Sequence, residues 1–312
     1  MLVCNGGVGD TGEMNGARSL APLLQSLLPA DGRLELGWGV NLVRQSWTSE
    51  RPLQGVLSSS VCLVAQGAKR VVLDGKAFDY DEDHLIVSSV DVPVAYQMIR
   101  ASLQEPFLCV RLALDSTRIA PLIPQLFPLG LESKAPRSAI GVAKTEALVV
   151  DVMRRFLEAA MDPADQGLVA GLAYQELLIR LVRSPVGARI AQIAIADSAA
   201  VGVARSIVWL RTHFTDAVKV EDLARIAHMS VSSFHQHFRS VTAQSPLQYQ
   251  KALRLQEARS LLLAGTVDAG TAAHRVGYVS PSQFSREYSR YFGQTPTRDV
   301  TSVLGQPVAV GA

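Results

Sequence analysis

The stretch SVSSFHQHFRSVTAQSP, Ser230 to Pro246, returns fifty residues later as SPSQFSREYSRYFGQTP, Ser280 to Pro296. Ser230, Ser232, Phe234, Gln244 and Pro246 fall on Ser280, Ser282, Phe284, Gln294 and Pro296, Phe238 falls on Tyr288, and Ser245 on Thr295. This repeat constrains the fold more than any other feature, because it demands two like units held apart by one spacer. A generic helical bundle has no need to keep caps, aromatics and a terminal Gln-Ser/Thr-Pro in register over seventeen positions.

Each copy reads as a short helix, a turn and a second helix. Ser230 and Ser280 stand where N-caps belong. Val231, Phe234, Phe238 and Val241 are spaced for one buried face in the first copy, and Phe284, Tyr288 and Tyr291 in the second. That leaves Ser232, His235, Gln236 and Arg239 off the apolar stripe of the first copy. Ser282, Gln283, Ser285, Arg286 and Arg290 lie off the stripe of the second. These residue types read base edges: Arg pairs with guanine, Gln with adenine, and Ser and His adapt. Between the copies, SPLQYQKALRLQEARSLLLAG opens with Ser245, Pro246 and Gln248 in capping-box order and closes at Gly265. A helix over 246–264 is about 28 Å long at ~1.5 Å per residue. That suits a rigid spacer between two recognition helices entering successive major grooves about 34 Å apart.

The runs SPLQYQKALRLQEARSLLL and GYVSPSQFSREYSRYFGQTP resemble the DNA-binding domain of the AraC/XylS family of bacterial transcription regulators, with a match over about 205–300. The resemblance implies seven helices, two helix-turn-helix units and a linker helix. It implies Ser232, His235 and Gln236 as the first unit's base readers, and Ser282, Gln283 and Arg286 as the second's. Three positions depart from the family pattern. His228 stands where the first turn usually has Gly, Lys219 where an N-cap Ser or Thr is usual, and Ala272, near Gly270, where Ile is expected. The last departure predicts a thinly packed helix ahead of the second recognition helix.

The front of the chain reads differently. VCLVAQGAKRVVLDGKAFDYDEDHLIVSSVDVPVAY alternates short runs rich in Val, Leu, Ile and Tyr with turn signals, and Asp74-Gly75 suits a tight hairpin. Several such strands predict a small barrel or sandwich. Beyond Pro121 the pattern turns helical. Leu148, Val152, Phe156 and Ala159 share one face, and Leu172, Gln175, Ile179 and Val182 another, with Asp162 and Pro163 as a start signal. This pair of helices carries more apolar surface than one face needs, which fits a core or a dimer interface. The region is similar to the N-terminal part of one AraC-type subgroup, a cupin-like β-domain followed by helices. That resemblance implies effector binding, dimerisation or both. Metal-dependent cupins bring several His and a Glu into the barrel. Here the segment has only His84, in DEDH, so neither metal nor cofactor is expected.

The expected fold class is therefore α+β: a small cupin-like β-barrel with helices, then an all-α domain with two helix-turn-helix units. The expected boundaries are a flexible N-terminus over 1–30, an effector-binding and dimerisation domain over 31–200, the DNA-binding domain over 201–300 and a flexible tail over 301–312. Apolar residues make up 48% of the 312, enough for two cores.

Charge supports the division. Residues 205–312 hold 12 Lys and Arg against 7 Asp and Glu, and residues 1–204 hold 18 against 21. A basic C-terminal third suits a polyanion. Cys4, Cys62 and Cys109 form neither a disulfide framework nor a zinc pattern. Cys62 and Cys109 lie in the apolar runs SVCLVA and FLCVRL, where inert buried thiols are the plain reading and an oxidant- or electrophile-sensing pair the sharper one. Arg111 would share the face of Cys109 in a regular strand. Trp38, Cys62, Tyr96, Met98, Cys109 and Arg111 are the candidate effector-site residues.

The expectation is a non-enzymatic, cytoplasmic, nucleoid-associated transcription regulator with no membrane contact. Its expected partners are double-stranded DNA, a small effector and a second copy of the chain, with RNA polymerase a further candidate. The rivals are a constitutive DNA-binding dimer without a ligand and a metal-free cupin-type enzyme fused to a DNA reader.

Overall fold

A computed structural model describes residues 16–49, 52–128, 138–194 and 199–304. Helix α1 (Ala21–Leu27) precedes ten strands: β1 (Gly32–Glu35), β2 (Val40–Gln45), β3 (Leu53–Leu57), β4 (Ser60–Gln66), β5 (Ala68–Leu73), β6 (Lys76–Asp81), β7 (His84–Ser88), β8 (Val92–Arg100), β9 (Phe107–Ala113) and β10 (Ile140–Lys144). The short helices α2 (Ser116–Ile119) and α3 (Ile123–Leu126) lie between β9 and β10. Then follow α4 (Ala147–Met161), α5 (Leu168–Arg183) and α6 (Gly187–Gln192). The remaining helices are α7 (Ala199–His213), α8 (Val220–Ile226), α9 (Val231–Thr242), α10 (Pro246–Leu263), α11 (Ala269–Arg275), α12 (Pro281–Phe292) and α13 (Pro296–Leu304).

The β-domain is a sandwich and not the expected closed barrel. One sheet runs β1-β2-β9-β4-β7-β10 and the other β3-β8-β5-β6, with antiparallel ladders. The break has a local cause. The chain leaves β6 at Asp81, turns within Glu82-Asp83 and starts β7 at His84 in the other sheet, so β6 and β7 are consecutive without forming a ladder. Asp74 and Gly75 both take positive φ (50° and 74°), the backbone that the right-handed twist of a two-residue hairpin requires.

The larger sheet is covered on both faces, which explains why β4 reads as an unbroken apolar run. Val61, Leu63 and Ala65 face the layer of α1, α4 and α5. Cys62 and Val64 face the smaller sheet. The apolar cluster between the sheets continues without interruption into Val203, Ile207 and Leu210 of α7, Leu223 of α8, Phe234 and Phe238 of α9, and Tyr249 of α10. Polar contacts join the same surfaces. The Tyr249 hydroxyl donates to the Asp91 carbonyl at 2.8 Å, Arg211 pairs with the Asp91 carboxylate, and the Ala139 amide donates to the Val241 carbonyl at 3.2 Å.

Three expected boundaries shift. Residues 17–27 are helical, and Ala17, Leu20, Ala21 and Leu24 are buried in the core, so they are not a flexible terminus. The 200/201 boundary falls inside α7, and 301–304 complete α13. The start of the chain with Cys4, and residues 305–312, lie outside the described residues. One helical face is also rotated and another loses one member. In α4 the expected Val152, Phe156 and Ala159 are buried, together with Val149 and Met153, and of the expected four Leu148 is exposed. In α5 Ala173, Tyr174, Leu177 and Leu178 are buried while Leu172 is exposed. The helix starts at Leu168, because Asp162 caps a separate turn by accepting from the Ala164 amide at 2.8 Å.

Candidate nucleic-acid interface

The repeat folds as two helix-turn-helix units, α8–α9 and α11–α12, joined by α10. Both recognition helices start on a serine: the Ser230 hydroxyl accepts from the Ser233 amide, and Ser280 from Gln283, each at 3.3 Å. A full capping box opens the linker helix. Ser245 accepts from the Gln248 amide at 3.3 Å, and the Gln248 side chain accepts from the Ser245 amide at 2.9 Å. Lys219 supplies no side-chain cap to α8. Glu221 and Asp222 in its first turn offset the positive end of the helix dipole instead.

The turns show how the copies differ. α8 closes with His228 amide to Arg225 carbonyl and Met229 amide to Ala224 carbonyl. α11 closes with Gly277 to His274 and Tyr278 to Ala273. Both are the same helix-ending motif, and His228 and Gly277 both hold the left-handed conformation, φ 56° and 85°. The turns are thus 49 residues apart while the caps Ser230 and Ser280 are 50 apart, so the second turn holds one extra residue, Val279, at 92% exposure. His228 does occupy a strained backbone, as its place in the sequence suggests.

Arg254 of α10 ties the two units together. Its guanidinium donates to the carbonyls of Phe214 (2.6 Å), Thr215 (3.1 Å), Asp216 (2.9 Å) and Gly277 (3.1 Å). At the far end Asp299, 2% exposed, accepts two bonds from Arg259 at 2.7 and 3.0 Å and one from the Tyr288 hydroxyl at 2.7 Å. Ala272, expected to pack thinly, is fully enclosed with its neighbour Ala273 against the cluster of Leu255, Ala258, Phe284 and Tyr288.

All eight reader positions are exposed: Ser232, His235, Gln236 and Arg239 on α9, and Ser282, Gln283, Arg286 and Arg290 on α12. Their surroundings differ. Gln236 and Arg239 share a cleft of about 470 Å³ with Leu73, Asp74, Lys76 and Phe78 of the β5–β6 hairpin. On α12, the Gln283 amide donates to Glu287 at 3.3 Å. Lys251 and the Tyr278 hydroxyl bind the same carboxylate at 3.0 and 2.8 Å. Burial pushes the Glu287 carboxyl up, but the bonds from Lys251, Tyr278 and Gln283 outweigh it and hold it below its ordinary range. Sequence reading missed Glu287. It sits three residues past Phe284 on the flank of the stripe, and only packing reveals that it orients Gln283.

Of the candidate effector residues, five share the inter-sheet side. Cys62, Cys109 and Met98 are buried there, with Tyr96 packed against the same cluster. Arg111 is two residues from Cys109 on the same face and donates to the Ser60 hydroxyl at 3.2 Å. Lys69, which sequence reading passed over, places its ammonium 4.3 Å from the centre of the Tyr96 ring. Trp38 lies elsewhere, its ring tilted against Tyr174 at 5.4 Å in the helical layer. His84 pairs with Asp81 at 2.7 Å. Among the described residues no three His, Cys, Asp or Glu side chains are grouped to hold a metal, and no helix is long and apolar enough to cross a membrane.

Residues 38–189 match the model of the AraC-type transcriptional regulator N-terminus, and residues 223–300 match a helix-turn-helix domain. Over 77 residues the chain is 46% identical to the RCS-specific HTH-type transcriptional activator RclR of Escherichia coli K12, covering 25% of this chain and 27% of that protein. Over 94 residues it is 31% identical to the HTH-type transcriptional activator RhaS of Escherichia coli, covering 30% and 34%. The chain thus spans about a third or less of the length of these curated relatives. The fold is similar to that of ToxT from Vibrio cholerae at 12% identity and TM-score 0.56, covering 84% of this chain and 97% of that one. A ToxT structure bound to an unsaturated fatty acid matches at 10% identity and TM-score 0.54, covering 86% and 97%.

Proposed function

The chain belongs to the AraC family of transcription regulators, and from that membership we propose that it is a sequence-specific DNA-binding regulator controlled by a small effector in its β-sandwich. The observation that carries the reading is the pair of recognition helices. Each turns its aromatics into a core and its Arg, Gln and Ser outward, joined on α9 by His235, and one linker helix holds both through Arg254. Backbone-held helices with free polar faces can enter a major groove, where Arg and Gln distinguish guanine and adenine.

Two-headed binding also fits the inequality of the units. Gln283 is held by Glu287 and Arg286 is exposed with no ion pair among the described residues, so α12 supplies the sharper readout, while α9 shares its cleft with the hairpin. The inter-sheet group of Lys69, Tyr96, Met98 and Arg111 is the effector site of this reading. No carboxylate pairs with Lys69 or Arg111 among the described residues, so an anionic or thiolate counter-charge suits it. The apolar cluster that runs from this layer into α9 provides the route by which occupancy there reaches the DNA reader.

A second copy of the chain is the partner of the α4–α5 face, where Leu148, Met161, Leu168, Val169 and Leu172 are exposed. RNA polymerase is carried as a partner by family membership alone. A non-enzymatic, cytoplasmic role follows from the same reading.

The test is site selection from a random duplex pool with the full chain, followed by affinity measurements against salt. Selection of a two-part site with its halves about one helical turn apart supports the reading. Binding without sequence preference, or no binding, refutes it.

A further inference from the structure

We propose that Cys62 and Cys109 form a two-electron redox couple, closed by a hydroperoxide into an intrachain disulfide that alters the packing beneath the first helix-turn-helix unit. The inference deepens, and rests on, the reading of the chain as a regulated DNA reader.

The two thiols come from adjacent strands. Val64 of β4 pairs with Cys109 of β9, which places Cys62, two residues earlier, diagonally across from Cys109 on one face. Both are nearly enclosed, at 7% and 4% exposure, and both face the smaller sheet. The two thiols lie close enough to interact directly, side chain to side chain. Lys69 and Arg111 approach the same pair, each without a carboxylate partner among the described residues. The Cys109 contact lowers the Cys62 pKa most. Burial opposes it, Lys69 and Arg111 add to it, and the net direction is downward. The contact with Cys62 and burial hold the Cys109 thiol well above its ordinary range. Cys62, the more exposed of the two and directly opposite Arg111 in the ladder, is the attacking thiol of the proposal, and Cys109 the resolving one.

The chemistry balances. The Cys62 thiolate attacks the terminal oxygen of the hydroperoxide. The O–O bond breaks, an alcohol or water leaves with the thiol proton, and Cys62 becomes a sulfenic acid. Cys109 sulfur then attacks the Cys62 sulfur, and hydroxide leaves as water with the Cys109 proton. Two thiols have lost two electrons to one peroxide bond.

The consequence is mechanical. Diagonal positions in a sheet stand farther apart than a disulfide prefers, so closing the bond draws β4 and β9 together. The ladder is already irregular between Val64 and Gln66, where it can yield. Cys62 and Cys109 belong to the apolar cluster that contains Ile207, Phe234, Phe238 and Tyr249, so the displacement reaches the base of α9.

The experiment uses the full chain with Cys4→Ser, which leaves two thiols. It is treated with hydrogen peroxide, then denatured for thiol counting and peptide mapping. In parallel, its affinity for its selected DNA site and the amide exchange of α7 and α9 are measured before oxidation, after it, and after dithiothreitol. The expected result is loss of both thiols and one peptide pair joined through Cys62 and Cys109. A change in DNA affinity of about tenfold, with altered exchange in α9, should accompany it and be reversed by the reductant. Cys62→Ser and Cys109→Ser, each near-isosteric, should abolish the cross-link, and Lys69→Met should slow the reaction. Surviving thiols, cross-links between chains, or oxidation of Cys62 with no cross-link overturn the couple. A disulfide that leaves both DNA affinity and α9 exchange unchanged overturns the switch. If the reduced chain selects no DNA site, the DNA-reader reading fails, while the thiol map and α9 exchange still decide the couple and its mechanical effect.

Discussion

Replacing Gly277 with Ala should destabilise the fold by about 1–4 kcal/mol, through two separable causes. The first is conformational. Gly277 has φ 85°, and a left-handed L-residue costs about 1–2 kcal/mol, less about 0.5–1 that alanine regains by restricting the unfolded chain. The second is steric. A Cβ at this position stands 3.0 Å from both the carbonyl carbon and Cα of Thr215 and closer still to its oxygen. That carbonyl cannot retreat freely, because Arg254 holds it at 3.1 Å while also holding Phe214, Asp216 and Gly277 itself. Crowding of this kind costs about 1–3 kcal/mol. Gly265 separates the causes. It has φ 67° and nothing within 4 Å of a built Cβ, so Gly265→Ala carries the conformational cost alone. Urea unfolding of the full-length variants, followed by circular dichroism, gives both values. The reasoning is refuted if Gly277→Ala costs no more than Gly265→Ala, for then the Thr215 carbonyl moves aside and Arg254 does not clamp the two units.

Three further outcomes are expected. His228→Gly, which releases a left-handed histidine in the matching turn, should raise stability by up to about 1 kcal/mol in the same assay; a loss would mean that the imidazole contributes more than its backbone costs. Arg286→Ala should cost about 1–3 kcal/mol on the selected site and far less on random DNA in a binding titration, whereas equal losses would make it a phosphate contact. Asp299→Ala strands the half-buried Arg259 and should cost about 3–5 kcal/mol in thermal or chemical melts.

Acid stability provides another measurement. The Glu287 carboxyl titrates below its ordinary 4.5, so its contribution is complete above about that pH and is lost as the pH falls through the lower folded value. Glu287→Gln should therefore flatten the acid limb of the stability curve. An unchanged limb would show that the bonds from Lys251, Tyr278 and Gln283 do not persist in solution.

How much of the molecule was legible varies with the range of the interactions involved. Caps and helix periods depend on neighbours within four residues. The two recognition helices, the Ser245–Gln248 box, the linker and the outward set from Ser232 to Arg290 could therefore be read from the chain alone. The hairpin at Asp74-Gly75 is local in the same way. The rotation of α5 and the place of Leu148 on α4 were not legible, since Leu172 and Leu148 fit an apolar stripe as well as Ala173 and Val149 do, and only the position of the opposing layer selects between them.

Contacts between distant segments were beyond local pattern. Whether strands close into a barrel depends on which sheet receives the chain after Asp83. The diagonal meeting of Cys62 and Cys109, the approach of Lys69, and the Glu287 hold on Gln283 depend on register and on burial of long side chains. So does the departure of Trp38 to the opposite layer. Two helical reading heads on one spacer behind a β-rich front follow from local pattern along the chain. That the apolar layer between the sheets and the core of the first head are one cluster follows from packing alone, because burial in three dimensions joins surfaces that no periodicity along the chain connects.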